Sequence, residues 1–406
     1  MTRNEIINAA FKVWGRNYYR KTSLSQLACE LKVSKPALYR HFVNKQALTS
    51  AMTERFLDDF AESIKADIDN AHTMESDDGI SAIIGSISEF FGKNVYALIF
   101  SLMSFYDRNM DGFNIVEHLK TRGVDMTTLQ QVISKKYEVK PSIIRLIFAS
   151  LTFYMSHFHM TNDSLKKPPS AENIQKVKLM ICDIVKYGLV LTAEKAASFK
   201  VPVFDNLEKL LDGMTLNTPE PFFKAVAEAV AEAGPWDVSL DMVAKRLGMS
   251  KSSLYGHFKN RKDMLRRLFI TEFKRIIEFA RRAISLSSNT AEQLYLGILS
   301  ISVYLRSRPE ILIAMDWIRT RKLNFGKPDK NLEIFRLFED VEIEPLRNAG
   351  DDEKRRASHW IMFLLINILT HPESEFPAKE TDKNVQNDCI RSLYNFIIFG
   401  LGGFVR

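Results

Sequence analysis

Apolar side chains return every three or four positions along most of the chain, the period of helices with one buried face, so the expectation is an all-α protein. The pattern is sharpest between Thr22 and Leu48. Leu24, Leu27, Ala28 and Leu31 share one face of a short helix that Ser23 can cap, with Gln26 three positions on as the return half of a capping box. Lys32 and Val33 end that helix. Ser34 then suits the N-cap of another, and Pro36 suits its first turn, where a missing N–H costs nothing. Leu38 and Phe42, four apart, face the first helix and leave Lys35, Ala37, Tyr39, Arg40 and His41 outside. Two short helices with so tight a joint predict a helix-turn-helix, whose second helix is sized for the major groove of DNA.

The pattern occurs twice. Adding 216 to each number carries Thr22–Leu48 onto Val238–Met264 without a gap, and 11 of the 27 positions are identical. A period near half of 406 residues predicts two copies of one design. The runs SLSQLACELKVSKPALYRHFVNKQAL and SLDMVAKRLGMSKSSLYGHFKNRKDM resemble the DNA-binding region of TetR-like (tetracycline-repressor-type) transcriptional regulators. The resemblance rests on a small residue, Val or Met followed by Ser-Lys, then Leu-Tyr-x-His-Phe, then Asn with Lys or Arg. With the preceding helices it covers residues 1–55 and 217–271, and elsewhere it is one of helical layout. It implies two tandem halves, each a three-helix DNA-binding domain followed by a helical regulatory domain. The expected division is 1–48 and 49–198 for the first half, a linker over 199–217, then 218–264 and 265–406 for the second.

Periodicity places the first body's helices at Ile80–Phe91, Asn94–Tyr106, Thr127–Lys136, Lys140–Met160 and Ser170–Ala193, after a long fourth helix capped by Asn44. The second body's are expected at Ala291–Leu305, Glu310–Ile318, Leu332–Phe338, Asp352–Leu369 and Lys383–Phe399, after a long helix over Lys262–Ser285. One short helix, Asn206–Leu211, fits the connection. Cys182 and Tyr187 share their spacing with Cys389 and Tyr394, which suggests that the two final helices correspond. By the resemblance, each body's last two helices form a dimer-type bundle. Because one chain carries both halves, the expectation is an intramolecular pseudo-dimer, with a homodimer of two-headed chains as the alternative.

Charge sharpens the picture. The net +7 is matched by +7 over residues 1–56 alone, with +2 over 217–272, so the excess sits in the motif regions, as expected if they face phosphates. Three cysteines, Cys29, Cys182 and Cys389, are too few and too scattered for a disulfide framework or a zinc site and are expected in the core. The N-terminus lacks a signal peptide's apolar run and the longest apolar stretches are short for a bilayer, so a cytoplasmic protein without membrane contact is expected. His157 and His159, two apart, point about 200° apart on a helix and have no third ligand at a helpful spacing. No phosphate loop, nucleophile elbow or His-Glu metal motif is present, so neither a metal, a cofactor nor enzymatic activity is expected.

By the resemblance, Lys35, Tyr39 and His41, with Lys251, Tyr255 and His257, are DNA-contacting positions. Tyr and Lys are expected on phosphates, while the histidines equally well pack beside the helix. Ser23, Pro36, Ala37, Arg40 and Lys45 complete the expected face in the first copy, and Ser239, Ser252, Ser253, Arg261 and Lys262 in the second. The copies differ where it matters: Arg40 can donate two hydrogen bonds to guanine, and Gly256 in its place can donate none from a side chain. An asymmetric double-stranded operator is therefore expected. TetR-like proteins are also released by a small molecule among the helices behind the motif. The expected lining is Phe105, Tyr106, Phe153 and His157, in a region that also holds Phe90, Phe91, Phe100, Tyr154 and Phe158, and suits a hydrophobic or aromatic effector; rings at helical spacing are more often core than pocket. The rival reading is a helix-turn-helix used for protein contact or non-specific DNA organisation.

Overall fold

The computed structural model describes residues 2–16, 23–105, 114–190, 198–216, 220–322, 343–370 and 383–405, with a few single positions between them. Helices account for the regular structure, and among the described residues the only β-type pairing is one isolated bridge, Tyr137 to Val405. In the first half, α1 (Arg3–Arg16), α2 (Leu24–Glu30) and α3 (Lys35–His41) form the head, and α4 (Lys45–Ala71) runs from it into the body. The body adds α5 (Ser76–Lys93), α6 (Val95–Phe105), α7 (Ile115–Lys120), α8 (Thr127–Ser134), α9 (Pro141–Thr161) and α10 (Ala171–Tyr187). After a connector helix, α11 (Phe204–Asp212), the second head is α12 (Pro221–Asp237), α13 (Leu240–Leu247) and α14 (Lys251–His257). The long α15 (Arg261–Ile284) leads to α16 (Thr290–Arg306), α17 (Pro309–Lys322), α18 (Asp351–Thr370) and α19 (Lys383–Phe399).

Local chemistry explains the boundaries. Asn44 and Asn260 cap the two long helices by accepting from Ala47 N at 2.8 Å and Asp263 N at 3.0 Å, so the helices start in register 216 residues apart. Gly234, at φ +76°, breaks α12 just before Pro235. The expected helix over Ser170–Ala193 stops earlier, at Tyr187, because Gly188 has φ +59° and starts a short 3₁₀ turn. The α7 helix was not anticipated; Asn114 caps it, and Arg122 behind it pairs with Glu54 at 2.5 Å and Asp58 at 2.7 Å, strapping this segment to α4. The expected Leu332–Phe338 helix lies outside the described residues apart from Phe338, which sits in a turn.

The two bodies meet through their last helices. α9 packs on α18 and α19, and α10 on α19. The apolar positions that periodicity puts on one face of these two helices are buried at Ile143, Ile147, Leu151, Tyr154, Met155, Val177, Ile181 and Ile184, with Ile144 half-buried; Leu191, on the same face, lies outside the described residues. Trp360, fully buried, donates from Nε1 to Ser150 Oγ at 3.1 Å and packs on Tyr154 at 5.7 Å, while Phe363 meets Phe153 at 5.5 Å. At the seam Gly188 and Gly400 touch backbone to backbone: a Cβ on either would lie within 2.7 Å of the other's nitrogen. Such a reciprocal contact is what a local two-fold relation produces. It pairs the helix ends at Tyr187 and Phe399, so the last helices do correspond, but five positions away from the Cys–Tyr spacing.

The connector is not a loose tether. Glu208 of α11 is buried and accepts from Arg391 Nε and Nη2, both at 2.7 Å, from Tyr295 OH at 2.7 Å and from Asn387 at 2.8 Å. Burial alone would raise its pKa, but Arg391 and the two neutral donors outweigh that and hold it below the usual carboxylate range. Cys182 and Cys389 are core residues as expected, whereas Cys29 is exposed, because α2 turns only Leu24, Leu27 and Ala28 inward.

Candidate nucleic-acid interface

Each head builds its outward helix the same way. Ser23 and Gln26 form the expected reciprocal cap, at 2.7 and 3.2 Å, and Ser239 accepts from Met242 N at 3.2 Å. Ser34 caps α3 through Ala37 N at 3.3 Å, and Ser250 caps α14 through Ser253 N at 3.1 Å. Between the helices the chain turns through a left-handed residue: Lys32 at φ +54° in the first copy, Gly248 at φ +63° in the second. The turn closes through Val33 N to Ala28 O at 3.0 Å and Met249 N to Ala244 O at 2.9 Å.

Leu38 and Phe42 are buried under α3, and Leu254 and Phe258 under α14. A cation covers each buried ring, Arg3 over Phe42 at 5.2 Å and Arg267 over Phe258 at 5.6 Å. Burial of those two rows forces the other faces outward. Lys35, Pro36, Tyr39, Arg40 and His41 are exposed and Ala37 is half-buried; Ser252, Ser253, Tyr255, Gly256 and His257 are exposed on the second head. The tyrosines are the telling case, aromatic rings left 46% and 51% exposed. Exposed Val43 follows α3 at 77%, a neighbour that the sequence did not single out.

The two faces diverge in detail. His257 lies against Phe222 at 5.5 Å, whereas His41 is simply exposed. Ser252 shares a 2.9 Å hydrogen bond with Ser250. Gly256 has open space where a side chain would be, so nothing steric excludes a larger residue there. Lys45 sits half-buried in the first turn of α4, and that burial lowers its pKa; Arg261 is half-buried and Lys262 exposed at the start of α15. The side chain of Lys251 lies outside the described residues.

The expected effector lining is dispersed. Phe153 and His157 stack on one another at 6.3 Å and stand at the seam, Phe153 against Phe363 of the second body. Burial lowers the pKa of His157. Tyr106 and the side chain of Phe105 lie outside the described residues. His159 is buried elsewhere, against the Phe91 carbonyl at 2.9 Å, and burial takes its pKa down to about 4. A cleft of about 670 Å³ instead opens where α1 and α4 meet the α5–α6 corner. Phe11, Phe56 and Phe90 line it together with Lys12, Arg55, Asp59, Glu62 and Lys93. Behind it Phe56, Phe60, Phe90, Phe91 and Phe100 form one aromatic cluster, joined to the head by Phe11 on Phe100 at 5.0 Å.

Two outward helices, each preceded by a capped partner and a left-handed turn, define a helix-turn-helix protein with two heads in one chain. Residues 6–52 and 223–268 both match the family described as bacterial regulatory proteins, tetR family. Over 150 residues the chain is 27% identical to the HTH-type transcriptional regulator UidR of Escherichia coli strain K12, spanning 35% of this chain and 71% of that protein. It is 26% identical over 136 residues to the HTH-type transcriptional repressor ComR of the same strain, spanning 33% and 64%. Among solved structures, the fatty acid degradation regulator FadR of Bacillus halodurans aligns with a TM-score of 0.33 at 16% identity, over 44% of this chain and 96% of that one. The TetR family transcriptional regulator PfmR of Thermus thermophilus aligns with a TM-score of 0.32 at 15% identity, over 44% and 97%. The chain is a TetR-like DNA-binding transcriptional regulator in which the family's DNA-binding unit occurs twice. Its relatives are regulators rather than enzymes. Among the described residues no single helix is long and apolar enough to cross a membrane.

Proposed function

We propose that this protein is a sequence-specific transcriptional repressor of the cytoplasm that reads an asymmetric operator as a single-chain pseudo-dimer. Residues 1–48 and 218–264 are the reading heads, 49–198 and 265–406 the bodies, and 199–217 the connection. The observation that carries the proposal is the pairing of two complete, exposed reading helices that differ at Arg40 and Gly256 within one polypeptide whose bodies share a buried seam. Lys35, Tyr39, Lys45, Lys251, Tyr255, Arg261 and Lys262 take phosphates and set the register of each head; Arg40 reads bases. Ser23 and Ser239 already hold helix ends, and their hydroxyls reach the backbone of DNA only as second acceptors or donors.

Release is assigned to a hydrophobic or aromatic molecule in the first half. The cleft between α1, α4 and the α5–α6 corner supports this reading, because its aromatic floor belongs to head and body at once. A ligand there changes DNA affinity only if it binds one arrangement of head and body more tightly than the other. The decisive experiment is selection of bound sequences from random duplexes, followed by the mass of the complex. The reading requires an asymmetric consensus and one chain per site. Equal binding to all duplexes would establish the non-specific reading instead, and two chains per site the four-headed homodimer.

A further inference from the structure

A second cavity, of about 400 Å³, opens in the second body where α15, the α16–α17 corner and the tail of the connector converge. Its lining carries four arginines, Arg275, Arg281, Arg282 and Arg308, against a single carboxylate, Glu278. Leu216, Phe279 and Tyr304 supply apolar surface between them. Three of the guanidinium groups are held in place. Arg308 is 3% exposed and donates to Glu272 Oε2 at 2.8 Å and to Tyr304 OH at 2.5 Å; Tyr304 donates in turn to Glu272 at 2.8 Å. Arg275 bonds the other oxygen of Glu272 at 3.0 Å and Glu220 at 3.0 Å. Arg282 lies over the Phe279 ring at 5.5 Å. Even with Glu272 and Glu220 counted beside Glu278, the cations outnumber the carboxylates by one, so an anion entering the cavity meets oriented donors and a net positive charge.

Position for position along the long helix, the first half keeps the acid of Glu278 as Glu62 and the cation of Arg281 as Lys65, but differs at the other lining positions. Arg275 corresponds to Asp59, Phe279 to Ser63 and Glu272 to Phe56, the centre of the aromatic cluster. At the buried floor of the junction between head and body, an aromatic ring in the first half therefore stands where the second has a carboxylate.

We propose that the second-body cavity binds a small organic anion, a carboxylate or phosphate carried on an apolar group. Arg275, Arg281 and Arg282 hold the acidic end, and Phe279 and Leu216 cover the apolar one. Leu216 ends the connector and Glu220, bonded to Arg275, directly precedes α12, so an occupant touches the segment that feeds the second head. The site is thus chemically distinct from the aromatic cleft of the first half, and its occupancy is read by direct binding, without DNA.

The test titrates the full chain with n-octyl phosphate, inorganic phosphate and the neutral n-octyl glucoside at a constant ionic strength of about 0.15 M, by calorimetry. One n-octyl phosphate should bind per chain, more tightly than inorganic phosphate, and the glucoside should not bind. Arg281→Gln with Arg282→Gln should weaken n-octyl phosphate about tenfold or more. Because both side chains are exposed, the unliganded fold should survive; Arg282→Gln alone should give part of the same loss. Lys166→Gln with Lys176→Gln, exposed on the first body, should leave the affinity unchanged. Unaltered affinity in the arginine variants, equal binding of the glucoside, or no binding of either phosphate overturns the proposal. Failure of the operator reading would leave all these outcomes standing.

Discussion

At the scale of single residues the two heads are a natural comparison, because their turns and faces match position for position. Lys32 holds a left-handed backbone that Gly248 adopts freely, and a side chain in that region costs on the order of 1 kcal/mol. Replacing Lys32 by Gly should raise the stability of the first head by up to about 1 kcal/mol, measured by hydrogen exchange of α2 and α3. Reading is separable in the same way. Arg40→Ala should relax base preference in one half-site only, by about 1–3 kcal/mol at the affected base pair, whereas Lys45→Ala should weaken all sequences and lower the salt slope by about one. Gly256→Arg, for which the structure has room, should add discrimination to the other half-site. If selection shows no change at either site, those positions touch only phosphates.

At the scale of elements, the connector helix α11 shows how a short amphipathic segment becomes part of a domain. The sequence marks it as a piece of linker, and its apolar face, Leu207 and Leu211, is visible there. What anchors it is Glu208, whose partners Tyr295, Asn387 and Arg391 lie about 90 and 180 residues away in sequence and could not be read from spacing. Glu208→Gln removes the ionic part of that contact and should cost about 2 kcal/mol, by denaturant unfolding at neutral pH. The pH dependence follows from the depressed pKa. The stabilisation is complete above the unfolded value of about 4.3 and is lost as pH falls through the folded one, so the variant should lose less stability on acidification than the parent. The unpredicted α7 was hidden for a similar reason. Its six residues are too few to show a period, and Arg122, paired with Glu54 and Asp58, is what fastens the segment to α4.

For the whole molecule, the seam between the bodies is the feature on which the single-chain reading turns. Gly188 and Gly400 meet where any side chain would strike backbone: a Cβ on Gly400 would come within 2.5 Å of the Val185 carbonyl. Both also have positive φ, so substitution is strained twice over. Gly400→Ala should cost about 2–4 kcal/mol and loosen α10 from α19, seen as faster exchange in both helices while the heads stay protected. An unchanged melting temperature would mean that the seam tolerates separation and that the halves do not act as one body.

What the amino-acid order settles, it settles through short-range chemistry. The caps at Ser23, Ser34, Asn44 and their counterparts, the helix end at Lys32 and Val33, the buried Leu38 and Phe42 and the exposed Tyr39 all depend on neighbours within a few residues, so the heads and their duplication were readable in advance. The same holds for the apolar faces of α9 and α10. Where those faces meet, which aromatic rings line a cleft and which bury themselves at the seam, and how four arginines gather around one cavity are questions of long-range packing. Phe153 and Phe90 look alike along the chain, both aromatic at helical spacing, yet one is spent on Phe363 of the other body and the other faces a cleft. Burial of apolar area is non-directional, so periodicity marks which face turns inward but not what it meets. Only the folded chain, by fixing which distant surfaces share one interior, decides that.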